Sequence, residues 1–166
     1  MTVTETADTA PPPSPKSTTP STTSPGARKV TGFFTPSNGI VCDSYGSNGS
    51  GMMLCRLTGI GGTASPKNVN AESCDGEPYV RSSAMGWRDN RSGFCWWSYS
   101  GNMPEPGRYP VLDYGKSAVL YSPQGLVVCS SAFDGVTCRK QGTTRAADGF
   151  FFSKQFVGSL AAKPTS

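Results

Sequence analysis

Histidine is absent from this chain of 166 residues. Its absence removes the general base of Ser-His-Asp and Cys-His catalysis and the usual ligands of zinc hydrolases. Long apolar runs are missing as well, and none reaches the roughly 18 residues of a membrane-crossing helix. Met1-Thr2-Val3-Thr4 lacks the basic start and apolar centre of a signal peptide, so export would need a signal or anchor outside this sequence. No window shows sustained helical periodicity. Charge is sparse too: residues 30–160 carry 11 basic and 9 acidic side chains, a net +2 that is too scattered for nucleic acid, whose binding needs clustered phosphate neutralisation.

What is present is glycine, proline and cysteine, at 20, 14 and 6 residues. A glycine- and proline-rich chain with few helix formers reads as short strands and turns. The central feature is a repeat. Phe34-Thr35-Pro36-Ser37-Asn38-Gly39-Ile40-Val41-Cys42 returns as Tyr121-Ser122-Pro123-Gln124-Gly125-Leu126-Val127-Val128-Cys129, with proline and cysteine at the same separation. Each copy is followed by a polar, glycine-containing gap and a second Cys-Arg, Cys55-Arg56 and Cys138-Arg139. Such internal similarity predicts two like hairpins.

An even cysteine count in a loop-rich domain points to disulfides formed in an oxidising compartment. No pair has the C-x2-C to C-x4-C spacing of a zinc site, so neither metal nor cofactor is expected. Six cysteines allow fifteen connectivities. The repeat selects Cys42–Cys55 and Cys129–Cys138, because a hairpin's own strands are nearest neighbours, and leaves Cys74–Cys95. Each bridge is worth roughly 3 kcal/mol in the loop-entropy account.

In chain order, residues 1–29 are mainly Thr, Pro and Ser, with too little apolar surface to offset ordering, and read as an extended linker. A single β domain is expected over 30–160 and a flexible tail over 161–166. Phe33-Phe34-Thr35 is a strand, Pro36-Ser37-Asn38-Gly39 a turn and Ile40-Val41-Cys42 the return. Residues 43–51 read as a polar loop with Ser47-Asn48-Gly49-Ser50 at its tip, and 52–57 as the strand pairing back. Residues 58–71 read as irregular because of Gly61-Gly62 and Ser65-Pro66. Further strands are expected over 93–99, 119–121, 126–130, 135–139 and 150–153, with Met103-Pro104-Glu105-Pro106-Gly107 a rigid connector. The predicted fold class is all-β, a small disulfide-bonded antiparallel sandwich or barrel built from two similar hairpin units, with no substantial helix.

Several motifs together resemble a family of small exported actinobacterial domains, common in mycobacteria. They are Phe33-x-Thr35-Pro36-Ser37-x-x-Ile40-x-Cys42, Leu112-x-Tyr114-Gly115, Gly125-x-x-x-Cys129-x-Ser131, Gly135-Val136-Thr137-Cys138 and Gly149-Phe150-x-x-Ser153-Lys154. The resemblance spans about residues 33–156. It implies a secreted protein, a lipoprotein or a membrane-protein ectodomain with six similarly placed cysteines, and it implies no activity. Two departures stand out: Ala147-Asp148-Gly149-Phe150 replaces the family's Gly-His-Gly-Phe, and Asp113 replaces its proline before Tyr-Gly.

Chemistry is hard to find. Gly115-Lys116-Ser117 ends like a phosphate-binding loop, but the glycine required five residues earlier is Pro110. Asp75 and Glu77 could share a strand face as a glycosidase acid pair, with Asp148 a further carboxylate, although a solvated turn beside Cys74 is the simpler reading. The conspicuous feature is aromatic. Trp87, Trp96, Trp97 and Tyr99, with Arg88 and Arg91, are the candidate ligand-binding residues, a stacking platform with charge-assisted contacts beside it. The competing structural reading packs one tryptophan on the Cys74–Cys95 bridge while another covers a sheet edge. Trp96 and Trp97, being adjacent on a strand, should face opposite ways.

The sequence thus leads to a non-enzymatic binding or sensor-type ectodomain at the cell envelope, outside the cytoplasmic membrane, on a flexible stalk with an upstream anchor expected. Its partner is an envelope glycan, a protein or a small molecule, and it has neither a membrane span of its own nor a nucleic-acid partner. The alternatives are a carboxylate-dependent hydrolase acting on envelope glycan, or a purely structural wall-associated protein.

Overall fold

A computed structural model describes residues 26–46, 51–59, 68–76, 83–88, 91–99 and 101–162. Outside them lie most of the expected linker, the 47–50 tip, Gly61-Gly62, Ser65-Pro66, Glu77, Asp89 and the end of the tail. The described chain is all-β, with twelve strands in two sheets and only single-turn 3-10 segments besides. One sheet joins β2 (Gly32–Phe34), β3 (Ile40–Tyr45), β4 (Met52–Leu57), β6 (Ser83–Arg88) and β7 (Phe94–Ser98) as an antiparallel meander. The other joins β8 (Ser117–Ser122), β9 (Gly125–Ala132), β10 (Gly135–Lys140), β11 (Gly149–Phe152) and β12 (Phe156–Ser159) in the same way. The two sequence repeats open these two meanders, so the duplication extends from a hairpin to five strands.

The local rules explain the hairpins. After β2, Thr35 turns its hydroxyl back onto Ile40, accepting from the Ile40 amide at 3.2 Å, while Asn38 takes φ 50° in the turn. After β8, the Ser122 hydroxyl donates to Gly125 O at 2.8 Å and accepts from the Gln124 amide. After β11, Ser153 does the same, donating to Phe156 O at 3.0 Å and accepting from the Phe156 amide. All three hydroxyls are buried, and each satisfies groups that the hairpin mouth would leave unpaired. Proline follows the first two hydroxyls, and Lys154 follows the third.

Strand alternation builds one core between the sheets. Cys42, Met53, Cys55, Met85, Trp87 and Trp96 face Leu120, Val127, Cys129, Val136, Cys138, Phe150 and Phe152. The three disulfides are Cys42–Cys55, Cys74–Cys95 and Cys129–Cys138, the connectivity that the repeat selects. Cys42 lies directly opposite Cys55, and Cys129 opposite Cys138. The two bridges meet across the core, Cys55 Sγ lying 3.8 Å from Cys138 Sγ. Gly86 is needed where β6 crosses β4, because a Cβ there would collide with the Met53 carbonyl.

Two straps tie the sheets together. Residues 28–34 run in parallel beside β8 as β1 (Arg28–Lys29) and continue into β2 of the other sheet. Residues 68–74 run in parallel beside β12 as β5 (Asn68–Asn70), and then Ser73 bridges Trp96 on β7. A third segment pairs with β2, with Phe34 N donating to Pro110 O and Leu112 N to Phe34 O. The structure therefore corrects the segment reading in four places. Pairing begins at Arg28, ahead of residue 30. Asp43 to Tyr45 are strand and not loop, since β3 pairs with β4 through Tyr45–Met52. Residues 68–70 are strand inside a stretch read as irregular. β6 and β12 were not anticipated at all.

Candidate binding groove

The aromatic platform expected on β6 and β7 is not an open surface. Trp87, Trp96 and Trp97 are 0%, 5% and 4% exposed. Trp87 packs between Phe94 and Phe150, with ring centroids at 6.0 and 5.2 Å. Trp96 also faces the inter-sheet core and donates its Nε1 hydrogen to Ala71 O at 3.1 Å. Trp97 faces the other way, as alternation requires, and clusters with Cys74, Cys95, Leu54 and Ala84. It packs on the Cys74–Cys95 bridge, the arrangement of the structural reading. Arg88 covers it, its guanidinium 5.3 Å from the ring centroid and held by both Asp75 carboxylate oxygens at 2.9 Å. Arg91 donates to the Cys74 carbonyl, and Tyr99 lies under the Arg56 guanidinium at 4.4 Å. The structure brings together Trp97, Arg88 and Tyr99 on one outer face and Trp87 and Trp96 on the opposite one. The three tryptophan rings are enclosed, and Tyr99 is half-buried under Arg56.

The carboxylates are similarly occupied. Asp75 is engaged by Arg88. Asp148 accepts from the Thr143 hydroxyl at 2.9 Å and faces Arg145 at 3.5 Å. Glu77 lies outside the described residues. Cys42, Cys55 and Cys138 bring their sulfurs within 4.8 Å of one another, yet each is oxidised in a disulfide and lacks a thiolate to give a metal.

A buried polar cluster lies beneath the Pro-rich connector, on the outer face of β3 and β4. Arg56 donates to Asp43 Oδ2 at 2.7 Å, Tyr45 donates its hydroxyl hydrogen to the same oxygen at 2.6 Å, and both charged side chains are almost wholly buried. Burial pushes the Asp43 carboxyl above its ordinary value, against the lowering effect of Arg56 and the hydroxyl hydrogen bonds. Burial first, and then Asp43, raise the Tyr45 phenol. Burial works to lower Arg56, but Asp43 and Tyr45 outweigh it and hold the guanidinium charged. The shallow hollow of about 680 Å³ above it is walled by Tyr45 and residues 102–108, and Asp43 does not line it. The cluster fixes the connector and offers no reactive group.

The site with an open face lies elsewhere, at the end of the sandwich where the β2–β3, β9–β10 and β11–β12 turns meet. A groove of about 540 Å³ opens there, with Ile40, Phe151 and Phe156 among its lining residues. Phe133, at the tip of the β9–β10 hairpin, is 91% exposed, and Tyr114 beside it is 40% exposed. Their rings meet edge to face with centroids at 5.7 Å. A phenyl ring so exposed leaves its apolar surface in water at about 25 cal/mol per Å². Lys154 borders the groove, and the carboxylate of Asp134 lines it as well. Gly39 makes room for the lysine, since a Cβ there would lie 3.2 Å from Lys154 Cε and 3.1 Å from Ser37 Oγ. Ser37, Tyr114, Lys154 and Gln155 on the rim can donate hydrogen bonds, whereas the Asp134 carboxylate accepts.

None of these residues was named as a binding residue by sequence reasoning. Phe133 falls in Phe-Asp-Gly between two strands, where an aromatic has no core to enter, and that was the available signal. Thr35-Pro36-Ser37, Tyr114, Gly135 and Ser153-Lys154, from the motifs that carry the family resemblance, line this groove or border it. Compared with protein-family models, curated proteins and solved structures, the chain matches none of them, so its function is argued from this geometry alone.

Proposed function

We propose that this chain is a non-enzymatic binding domain of the cell envelope that captures an extended, largely apolar ligand bearing hydrogen-bond acceptors. The observation that carries the reading is the almost fully exposed Phe133 at the mouth of an apolar groove bordered by the Tyr114 hydroxyl and the Lys154 ammonium. Apolar walls supply affinity, and the ammonium and hydroxyl groups orient the acceptors. Three disulfides are compatible with an oxidising location, and no helix among the described residues is long and apolar enough to cross a membrane. With the residues upstream of β1 as a tether, the domain would act within reach of an envelope anchor.

The test uses 1-anilinonaphthalene-8-sulfonate, an apolar dye with one anion, titrated into the native protein. Binding should shift the backbone amide resonances of Tyr114, Phe133 and Lys154, and Phe133→Ala should weaken it by tenfold or so, about 1.4 kcal/mol. Dye that binds Phe133→Ala as well as it binds the native protein, or that shifts only β6 and β7 resonances, would refute the groove.

A further inference from the structure

The groove reading raises the question of what fills the site, and the path of the chain supplies an answer. We propose that its resident occupant is the chain's own proline run, Pro11-Pro12-Pro13-Ser14-Pro15. The inference rests on the groove being a binding site.

The first argument is position. β1 runs parallel to β8 with Arg28 beside Ala118 and Lys29 beside Val119. Going upstream from Arg28, the chain therefore heads towards Gly115 and Lys116. There the Gly115 amide donates to Ser131 O, and Tyr114 and Phe133 follow directly. From β1 to β9 is two strand positions, or about 10 Å. The eleven residue steps from Pro15 to Gly26 span up to about 34 Å in a polyproline conformation, so the run reaches the groove with slack.

The second argument is chemistry. A proline run offers ring faces and carbonyl acceptors but no backbone donor. The groove offers exposed aromatic rings with a hydroxyl, an amide and an ammonium that donate, beside the single carboxylate of Asp134. Proline-rich segments dock in aromatic-lined grooves because their extended helix is already formed and little order remains to be imposed. Tethering adds concentration. A linker of this length holds its end at an effective concentration of about 1 mM, so even a weak site with a Kd near 0.1 mM is mostly filled. An outside ligand would then have to displace the segment.

The experiment compares the full chain with its Pro12→Ala/Pro13→Ala/Pro15→Ala variant. Two results are expected together. The amide resonances of Tyr114, Phe133 and Lys154 should move, by the same amount at every protein concentration. Dye affinity should rise about tenfold, the factor one plus effective concentration over Kd. If either is absent while the dye still binds at Phe133, this inference falls and the groove reading stands. If the dye binds the groove in neither protein, both fall. Shifts that fade on dilution would put the proline run in the groove of a second copy and overturn the intramolecular assignment.

Discussion

Asp43 shows how much one side chain can hold. It has no contact with water, and Arg56 and Tyr45 converge on one of its oxygens. Asp43→Asn keeps the volume but leaves Arg56 buried without a counter-charge, which should cost about 3–5 kcal/mol, measured as a lowered urea midpoint. The pH dependence has a definite sign. Burial raises the folded-state pKa above the ordinary 3.8, so above that value the folded protein binds more protons at this site than the unfolded chain. The contribution of Asp43 to stability is therefore fully present below pH 3.8 and lost as pH rises through the folded value. The stability gap between the native protein and Asp43→Asn should widen as pH falls from 7 towards 4, and a gap that narrows would contradict the assignment. Nothing in the sequence announces this pair. Asp43 and Arg56 stand 13 positions apart among polar neighbours, and only the β3–β4 register puts them on one face.

At the scale of the hairpin, the repeat made a good deal legible. Aromatic, hydroxyl and proline before an aliphatic run gave both turns and two cross-strand disulfides, because all the groups involved are near in sequence. The hydroxyl device also recurs at Ser153, where no proline marks it. Thr35→Val and Ser153→Ala should each cost about 1 kcal/mol, read as a shift in thermal midpoint, since each unpairs a buried amide. Removing Cys129–Cys138 by paired alanine substitution should cost 2–5 kcal/mol, about the figure for small secreted domains. Removing Cys74–Cys95 should act differently. It releases the 68–74 strap, so amide exchange should accelerate at Trp96, which bonds Glu72 and Cys74, before it does in β9 and β10. The straps themselves were not legible. Two- and three-residue parallel pairings are chosen by partners far away in sequence and leave no periodic trace. The same distance effect misled the aromatic reading. Alternation put Trp96 and Trp97 on opposite faces correctly, but the cover over Trp97 comes from residues 74, 75 and 88, which no local pattern reveals.

The whole molecule is two meanders pressed together and sewn at both sides. The core runs across both sheets, and the 28–34 and 68–74 straps cross between them. Unfolding should therefore be a single transition, with near- and far-ultraviolet circular dichroism falling together; separated transitions would mean that the sheets are independent. All-β class and disulfide framework followed from composition, whereas the groove needed the three turns in place before Phe133, Tyr114 and Lys154 became neighbours. The sewing has one more effect. A β-sheet whose outermost strand offers its amides and carbonyls invites other chains to add on, and fibrils grow in this way. Here β2 is already paired along its free side by residues 110–112 and β7 by residue 73, while β8 is capped by the two basic residues of β1 and β12 by Asn68-Val69-Asn70. Such a molecule can stay dispersed when crowded. Deleting residues 1–29 bares β8, and light scattering should then report growing assemblies from a fold otherwise intact.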